Sequence, residues 1–127
     1  MKDGKYVILC IDDDQDFLNS LRIVIEGGGY HMEAAGSAEE GLRKYSTVKP
    51  DLIIVDLMME EVDAGTGFVR DIRAMGKIPP TYLLSSVGDN LHLCADCAAL
   101  GLTGVLQKPI SPPLLLSTLK AKLKMLS

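Results

Sequence analysis

The sequence predicts a doubly wound α/β fold, and three observations predict it. Short apolar runs rich in β-branched residues alternate five times with segments of helical periodicity, which is the pattern of βα units. The runs at 52–55 and 82–84 are apolar without interruption, as parallel strands covered on both faces are. The first and third runs each lead straight into aspartate, Asp12 and Asp56, at the strand ends where open α/β sheets bind ligands.

The first strand is expected over 5–11, with Tyr6-Val7-Ile8-Leu9-Cys10-Ile11 as its apolar body. A helix over 14–26 follows, because Phe17, Leu18, Leu21, Val24 and Ile25 recur at spacings of three and four. One residue of the run Asp12-Asp13-Asp14 serves as its N-cap, and Gly27-Gly28-Gly29 stops it. The second strand is expected over 30–35 and the second helix over 37–47, where Ser37 followed by Glu39 and Glu40 gives an N-cap with an acidic first turn. Pro50 precedes the third strand, 51–56. A mobile glycine-rich loop, Gly65-Thr66-Gly67, leads into a third helix over 66–75. Pro79-Pro80 introduces the fourth strand, 80–85; a fourth helix is expected over 89–100 and a fifth strand over 103–107. Pro112-Pro113 opens a fifth helix, 112–126, in which Lys120, Lys122 and Lys124 suit the negative end of the helix dipole. No repeat, low-complexity tract or linker interrupts this order, so 1–127 reads as one domain.

Composition narrows the function. A chain of 127 residues with 47% apolar content can bury a core of its own. A net charge of −4 argues against direct nucleic-acid binding, which needs a basic face. No apolar run approaches the roughly 18 residues of a membrane span. Three cysteines form no disulfide framework, and reduced thiols in a cytoplasm are the simplest reading.

Periodicity does not give strand order, but an order of 2-1-3-4-5 sets the ends of the first and third strands side by side. Asp12, Asp13 and Asp56 then share one cleft with Lys108, which follows the apolar stretch Gly104-Val105-Leu106-Gln107. Carboxylates held that close repel one another. A hard divalent cation relieves the repulsion, since Mg²⁺ takes one or two carboxylates together with water and phosphate oxygens. The cluster therefore points to a place where metal and phosphate meet.

The chain resembles the receiver domain of two-component response regulators over essentially its whole length. The resemblance rests on Ile8-Leu9-Cys10-Ile11-Asp12-Asp13-Asp14, on Pro50-Asp51-Leu52-Ile53-Ile54-Val55-Asp56-Leu57-Met58-Met59, on Leu83-Leu84-Ser85-Ser86 and on Gln107-Lys108-Pro109. It implies a flavodoxin-like five-stranded fold and a phosphorelay function. Asp56 would accept a phosphoryl group from a phosphohistidine on a sensor histidine kinase or a histidine phosphotransfer protein. Asp12, Asp13, Asp56 and the Met58 carbonyl would hold Mg²⁺, and Ser85 and Lys108 would meet the phosphoryl oxygens. It further implies a cytoplasmic protein, a cis Lys108-Pro109 bond, and an output partner on the face between the fourth and fifth helices. The chain would be a monomer or a phosphorylation-dependent dimer, acting as a signalling receiver rather than an enzyme on other substrates.

Several positions depart from that pattern. Glu60 stands where proline is usual, and the common Asp-Gly reads Asp63-Ala64, so Glu60, Glu61 and Asp63 make an acidic loop beside the site. Val105 occupies the position of the aromatic switch residue, and Ser86 that of a small alanine. Val87 and Met58 flank the pocket and are candidates for shielding an acyl phosphate from water. His92 with Cys94-Ala95-Asp96-Cys97 has the spacing of a redox or zinc motif but falls within an expected helix, where packing explains it better.

Two other functions compete. A haloacid-dehalogenase-type phosphatase would use Asp12 as nucleophile within Asp12-Asp13-Asp14, and Gly88-Asp89 as a late acidic motif, but the chain is short for that fold. A degenerate receiver would bind partners without phosphorylation, against which the intact Asp56, Ser85 and Lys108 argue. A calcium loop from Asp12 fails, since Phe17 and Ile23 stand where glycine and glutamate are needed. An acidic loop after the first strand would also repel a flavin phosphate.

Overall fold

The computed structural model describes residues 4–56, 64–85, 102–108 and 110–124. Five strands make one parallel sheet: β1 (Val7–Ile11), β2 (His31–Ala35), β3 (Leu52–Asp56), β4 (Thr81–Ser85) and β5 (Gly104–Gln107). Their order is β2-β1-β3-β4-β5, as expected. Four helices are described, α1 (Gln15–Gly27), α2 (Ala38–Val48), α3 (Ala64–Ala74) and α4 (Pro112–Lys124). The helix expected over 89–100 lies outside the described residues, so α4 is the fifth helix of the sequence reading.

The pleat divides each central strand between two cores. Ile8, Cys10, Leu52, Ile54, Tyr82 and Leu84 face one side, where Leu18, Leu21 and Ile25 of α1 and Leu115, Leu119 and Leu123 of α4 cover them. Leu9, Ile11, Ile53, Val55 and Leu83 face the other, under Phe68, Val69 and Ile72 of α3, with Leu42 and Tyr45 of α2 at the margin. Every residue of β1, β3 and β4 is buried, which accounts for their uninterrupted apolar runs. Each large aliphatic side chain so buried contributes about 1.5–3 kcal/mol. The site stands on the ends of these three buried strands.

The helix ends follow their local chemistry. Asp14 caps α1, its side chain accepting the N–H groups of Asp16 and Phe17, and Ser37 caps α2 by accepting from Glu40. At the far end of α1 the Gly28 N–H returns to the Val24 and Ile25 carbonyls, each at 3.1 Å, and Gly29 turns the chain out at φ 93°. Gly41 lets α2 approach the sheet, since a Cβ there would sit 2.6 Å from Ile11 Cδ1. α3 departs from expectation. It begins at Ala64, so Gly65, Thr66 and Gly67 form its first turn and not a loop. Glycine costs about 1 kcal/mol in a helix, and burial of Phe68, Val69 and Ile72 one turn later outweighs that.

Candidate functional site

The site forms at the carboxyl edge of β1, β3 and β4. In register, Ile11 pairs with Val55, so the next residues, Asp12 and Asp56, emerge side by side. Asp12 continues the ladder by one bond, its N–H donating to the Ala35 carbonyl at 3.0 Å. The three consecutive aspartates then do three different things. Asp12 is wholly buried and turns inward, with Oδ1 accepting the Asp14 N–H at 2.9 Å. Asp13 is exposed at the mouth. Asp14 points forward into the first turn of α1, its Oδ1 accepting from the Asp16 N–H at 3.1 Å and the Phe17 N–H at 3.2 Å.

Asp56 closes β3 and is 4% exposed; Ser85 closes β4 and is 3% exposed. Lys108 enters from the far side. Its backbone N–H donates to the Ser85 carbonyl at 2.7 Å, which carries the β4–β5 ladder past Gln107. From there the side chain reaches back over the strand end. Its Nζ lies 2.7 Å from Asp12 Oδ2 and 3.4 Å from Asp56 Oδ2. The same ammonium stands 4.4 Å from the centroid of the Phe17 ring.

Asp12, Asp13 and Asp56 each offer an oxygen within 4.8 Å of the others. Like charges at that distance repel by about 3 kcal/mol or more at an effective dielectric of ~20. Among the described residues that meet here, one ammonium faces three carboxylates. Burial pulls the Lys108 ammonium down, but the closeness and charge of Asp12, and then of Asp56, outweigh it and leave the pKa above the ordinary lysine value. The approach to Asp12 is close but poorly directed: buried Oδ2 has no partner of hydrogen-bond geometry among the described residues. A buried oxygen of that kind, in a set of oxygen donors without sulfur or nitrogen, fits a hard cation such as Mg²⁺.

The structure thus brings Asp12, Asp13, Asp56 and Lys108 into one cleft and sets Ser85 at the end of the adjoining strand. Met58, Ser86, Val87, the acidic loop of Glu60, Glu61 and Asp63, and His92, Cys94 and Cys97 lie outside the described residues. Val105 is 45% exposed on β5. Cys10 sits beneath the site as an inert thiol. Burial pushes its pKa far up, Asp12 adds to that, and Arg22 opposes it only in part. Sequence reading assigned Phe17 to the core by its spacing and missed its second neighbour, the Lys108 ammonium. The available signal was its place in the first turn of the helix that starts from the aspartate run.

Comparison with known proteins bears on the family and the fold. The family model of the response regulator receiver domain matches residues 8–120. The alkaline phosphatase synthesis transcriptional regulatory protein PhoP of Bacillus subtilis is 30% identical over 117 residues, which is 92% of this chain and 48% of that protein. The KDP operon transcriptional regulatory protein KdpE of Escherichia coli is 37% identical over 76 residues, covering 60% of this chain and 33% of that one. The chain therefore spans about half the length of the first relative and a third of the second. Among solved structures, a CheY-like response regulator receiver domain protein from Methanospirillum hungatei superposes with a TM-score of 0.87 at 25% identity, covering 96% of each chain. The chemotaxis protein CheY4 of Vibrio cholerae superposes with a TM-score of 0.84 at 29% identity, covering 94% of this chain and 99% of that one.

Proposed function

The chain belongs to the response regulator receiver domain family, and we propose that Asp56 is its phosphoryl acceptor, served by Lys108, Ser85, Asp12 and Asp13. The observation that carries this reading is the convergence of Lys108 Nζ on both Asp12 and Asp56, at 2.7 and 3.4 Å, from the end of β5, which lies two places from β3 and three from β1 in the sheet. Residues 1–127 are read as one receiver unit.

The reaction follows from the arrangement. An Asp56 carboxylate oxygen attacks the phosphorus of a phosphohistidine on a sensor kinase or phosphotransfer protein. An O–P bond forms, the P–N bond breaks, and its electron pair stays on the imidazole nitrogen, which takes up a proton. Carboxylates form covalent intermediates of this kind. Little covalent work is asked of the protein, so the rate depends on positioning and on charge placed in advance. Lys108 sets an ammonium against one phosphoryl oxygen, and the Ser85 hydroxyl donates to another. Asp12, Asp13 and Asp56 would hold Mg²⁺, with the Met58 carbonyl as the further ligand that the family resemblance implies, and the ion would neutralise charge on the phosphoryl oxygens. Asp12 is the poorer nucleophile, because it is wholly buried and its Oδ1 already accepts the Asp14 N–H.

Phosphorylation would then favour one arrangement of the loops around Ser85 and change the affinity of the face between the fourth and fifth helices of the sequence reading. With Val105 in place of a ring, that change does not use an aromatic rotamer switch. The output partner is a protein, and the receiver itself neither binds nucleic acid nor enters a membrane. No helix among the described residues is long and apolar enough to cross one. A cytoplasmic setting beside the kinase, as monomer or phosphorylation-dependent dimer, completes the reading. Intact-mass spectrometry after incubation with acetyl phosphate and Mg²⁺ tests it. One added phosphoryl group, absent in Asp56→Asn and without Mg²⁺, is expected; phosphorylation that survives in Asp56→Asn refutes it.

A further inference from the structure

We propose that Phe17 is a positioning residue for phosphoryl transfer. Its ring face holds the Lys108 ammonium over the cleft, so that the lysine stays aimed at Asp56 when its share of Asp12 is withdrawn. The inference rests on the reading that Lys108 meets the phosphoryl group.

The argument begins with what each partner of Lys108 must also do. Asp12 Oδ2 lies 2.7 Å from the ammonium, yet it is also an oxygen of the three-carboxylate cluster that suits a hard cation. Asp56 Oδ2, at 3.4 Å, belongs to the nucleophile and gives up its charge as the acyl phosphate forms. Both carboxylate contacts are therefore weakest when the lysine is needed. The ring of Phe17, 4.4 Å from Nζ, takes part in neither process. A hard, hydrated cation has no use for it, whereas an alkylammonium pressed against it gains a cation–π contact.

A lysine stem is long and flexible, and left alone it carries its head to water. Here the side chain is only 18% exposed, so it is held inward. Phe17 is itself well fixed. Its N–H donates to Asp14 Oδ1 at 3.2 Å, and the ring is packed against the core formed by α1, α4 and the sheet. The aspartate run thus supplies a buried carboxylate for the cluster, and through its cap it sets the residue that holds the lysine above that carboxylate.

The test separates a ring that holds an ammonium from a ring that only fills space. Phe17→Leu keeps an apolar side chain without a π face; Phe17→Tyr keeps the face. In the metal-free protein, the Lys108 methylene next to the ammonium should show an upfield ring-current shift by NMR, kept in Phe17→Tyr and lost in Phe17→Leu. With acetyl phosphate and saturating Mg²⁺, Phe17→Leu should be phosphorylated about two- to fivefold more slowly, and Phe17→Tyr at close to the wild-type rate. In a Lys108→Met background, Phe17→Leu should have no further effect, since the two residues act through one contact. An equal slowing in both backgrounds, or Phe17→Tyr as slow as Phe17→Leu, overturns the inference in favour of packing alone. Wild-type rate together with an unchanged methylene shift in Phe17→Leu overturns it as well. Failure of the Asp56 reading would appear in the wild type itself, as no phosphorylation. The methylene shift, read without phosphodonor, would still decide whether the ring holds the ammonium.

Discussion

Replacing Lys108 with methionine isolates what the ammonium does, because the long unbranched stem is kept and the charge is removed. At an effective dielectric of ~20, the attraction of Nζ for Asp12 Oδ2 at 2.7 Å comes to about 6 kcal/mol, and for Asp56 Oδ2 at 3.4 Å to about 5 kcal/mol. Keeping the ammonium out of water returns several kcal/mol of that. Removing one partner of a buried pair destabilises by about 3–5 kcal/mol, and since the Lys108 side chain remains 18% exposed, the lower end applies, about 3 kcal/mol. Urea unfolding in EDTA is the assay, with an unchanged m-value as the check that only stability has moved. Mg²⁺ should then stabilise Lys108→Met more than wild type, by about 1.4 kcal/mol for each tenfold gain in affinity, because the ammonium no longer contests Asp12. The pH dependence has a definite sign. The folded pKa of Lys108 is raised above 10.5, so its contribution is fully present below pH 10.5 and is lost as pH rises through the folded value. The gap between wild type and Lys108→Met should be flat through neutral pH and narrow only on the alkaline side. Equal stability of the two proteins in EDTA at pH 7 would refute the reasoning. So would Mg²⁺ protecting wild type more than the variant.

Two further substitutions probe how the site is mounted. Asp14→Ala removes the cap that accepts the Asp16 and Phe17 N–H groups and should lower stability by about 1 kcal/mol, whereas Asp14→Asn should be nearly neutral; thermal unfolding distinguishes them. Gly41→Ala should also destabilise, by about 1–2 kcal/mol in a urea titration, because the new methyl must displace Ile11 Cδ1 from 2.6 Å, a penalty larger than the ~1 kcal/mol gain in helix propensity.

The adjacency of the first and third strands was legible because Asp12 and Asp56 come together only if those strands are neighbours, and the resemblance to the receiver family implied the rest of the order. Most element boundaries fell within about two residues of expectation because they are set by local signals, such as the Asp14 and Ser37 caps and the glycines after Gly27. Other features were not local. Three identical side chains at Asp12, Asp13 and Asp14 cannot be told apart by type. The turn that aims the Asp12 carboxylate back at the Asp14 N–H decides which is buried, exposed or capping. Helix α3 begins at Ala64, two residues before its expected start, because tertiary burial of Phe68, Val69 and Ile72 carries the helix through the poor propensity of Gly65 and Gly67. Lys49 ends α2 in a left-handed conformation, φ 54°, just before Pro50, where the sequence signalled only a break. Phe17 obeyed the helical period, and nothing in that period reveals a cation arriving from another strand end.

The way the charged groups are mounted explains why the lysine is the delicate part. Asp56 sits inside β3, and Asp12 is tied by its backbone to Ala35 at 3.0 Å, so the sheet itself fixes two carboxylates. Lys108 is tied by its backbone to Ser85 at 2.7 Å, but its charge lies at the end of a four-carbon stem beyond that anchor. The backbone therefore sets where the negative groups stand and leaves the positive one to side-chain contacts alone. Of its three contacts among the described residues, two are carboxylates whose charge is drawn off by the chemistry they serve. A contact that keeps its strength while those two are being neutralised has to be uncharged, and the ring of Phe17 meets that condition at 4.4 Å.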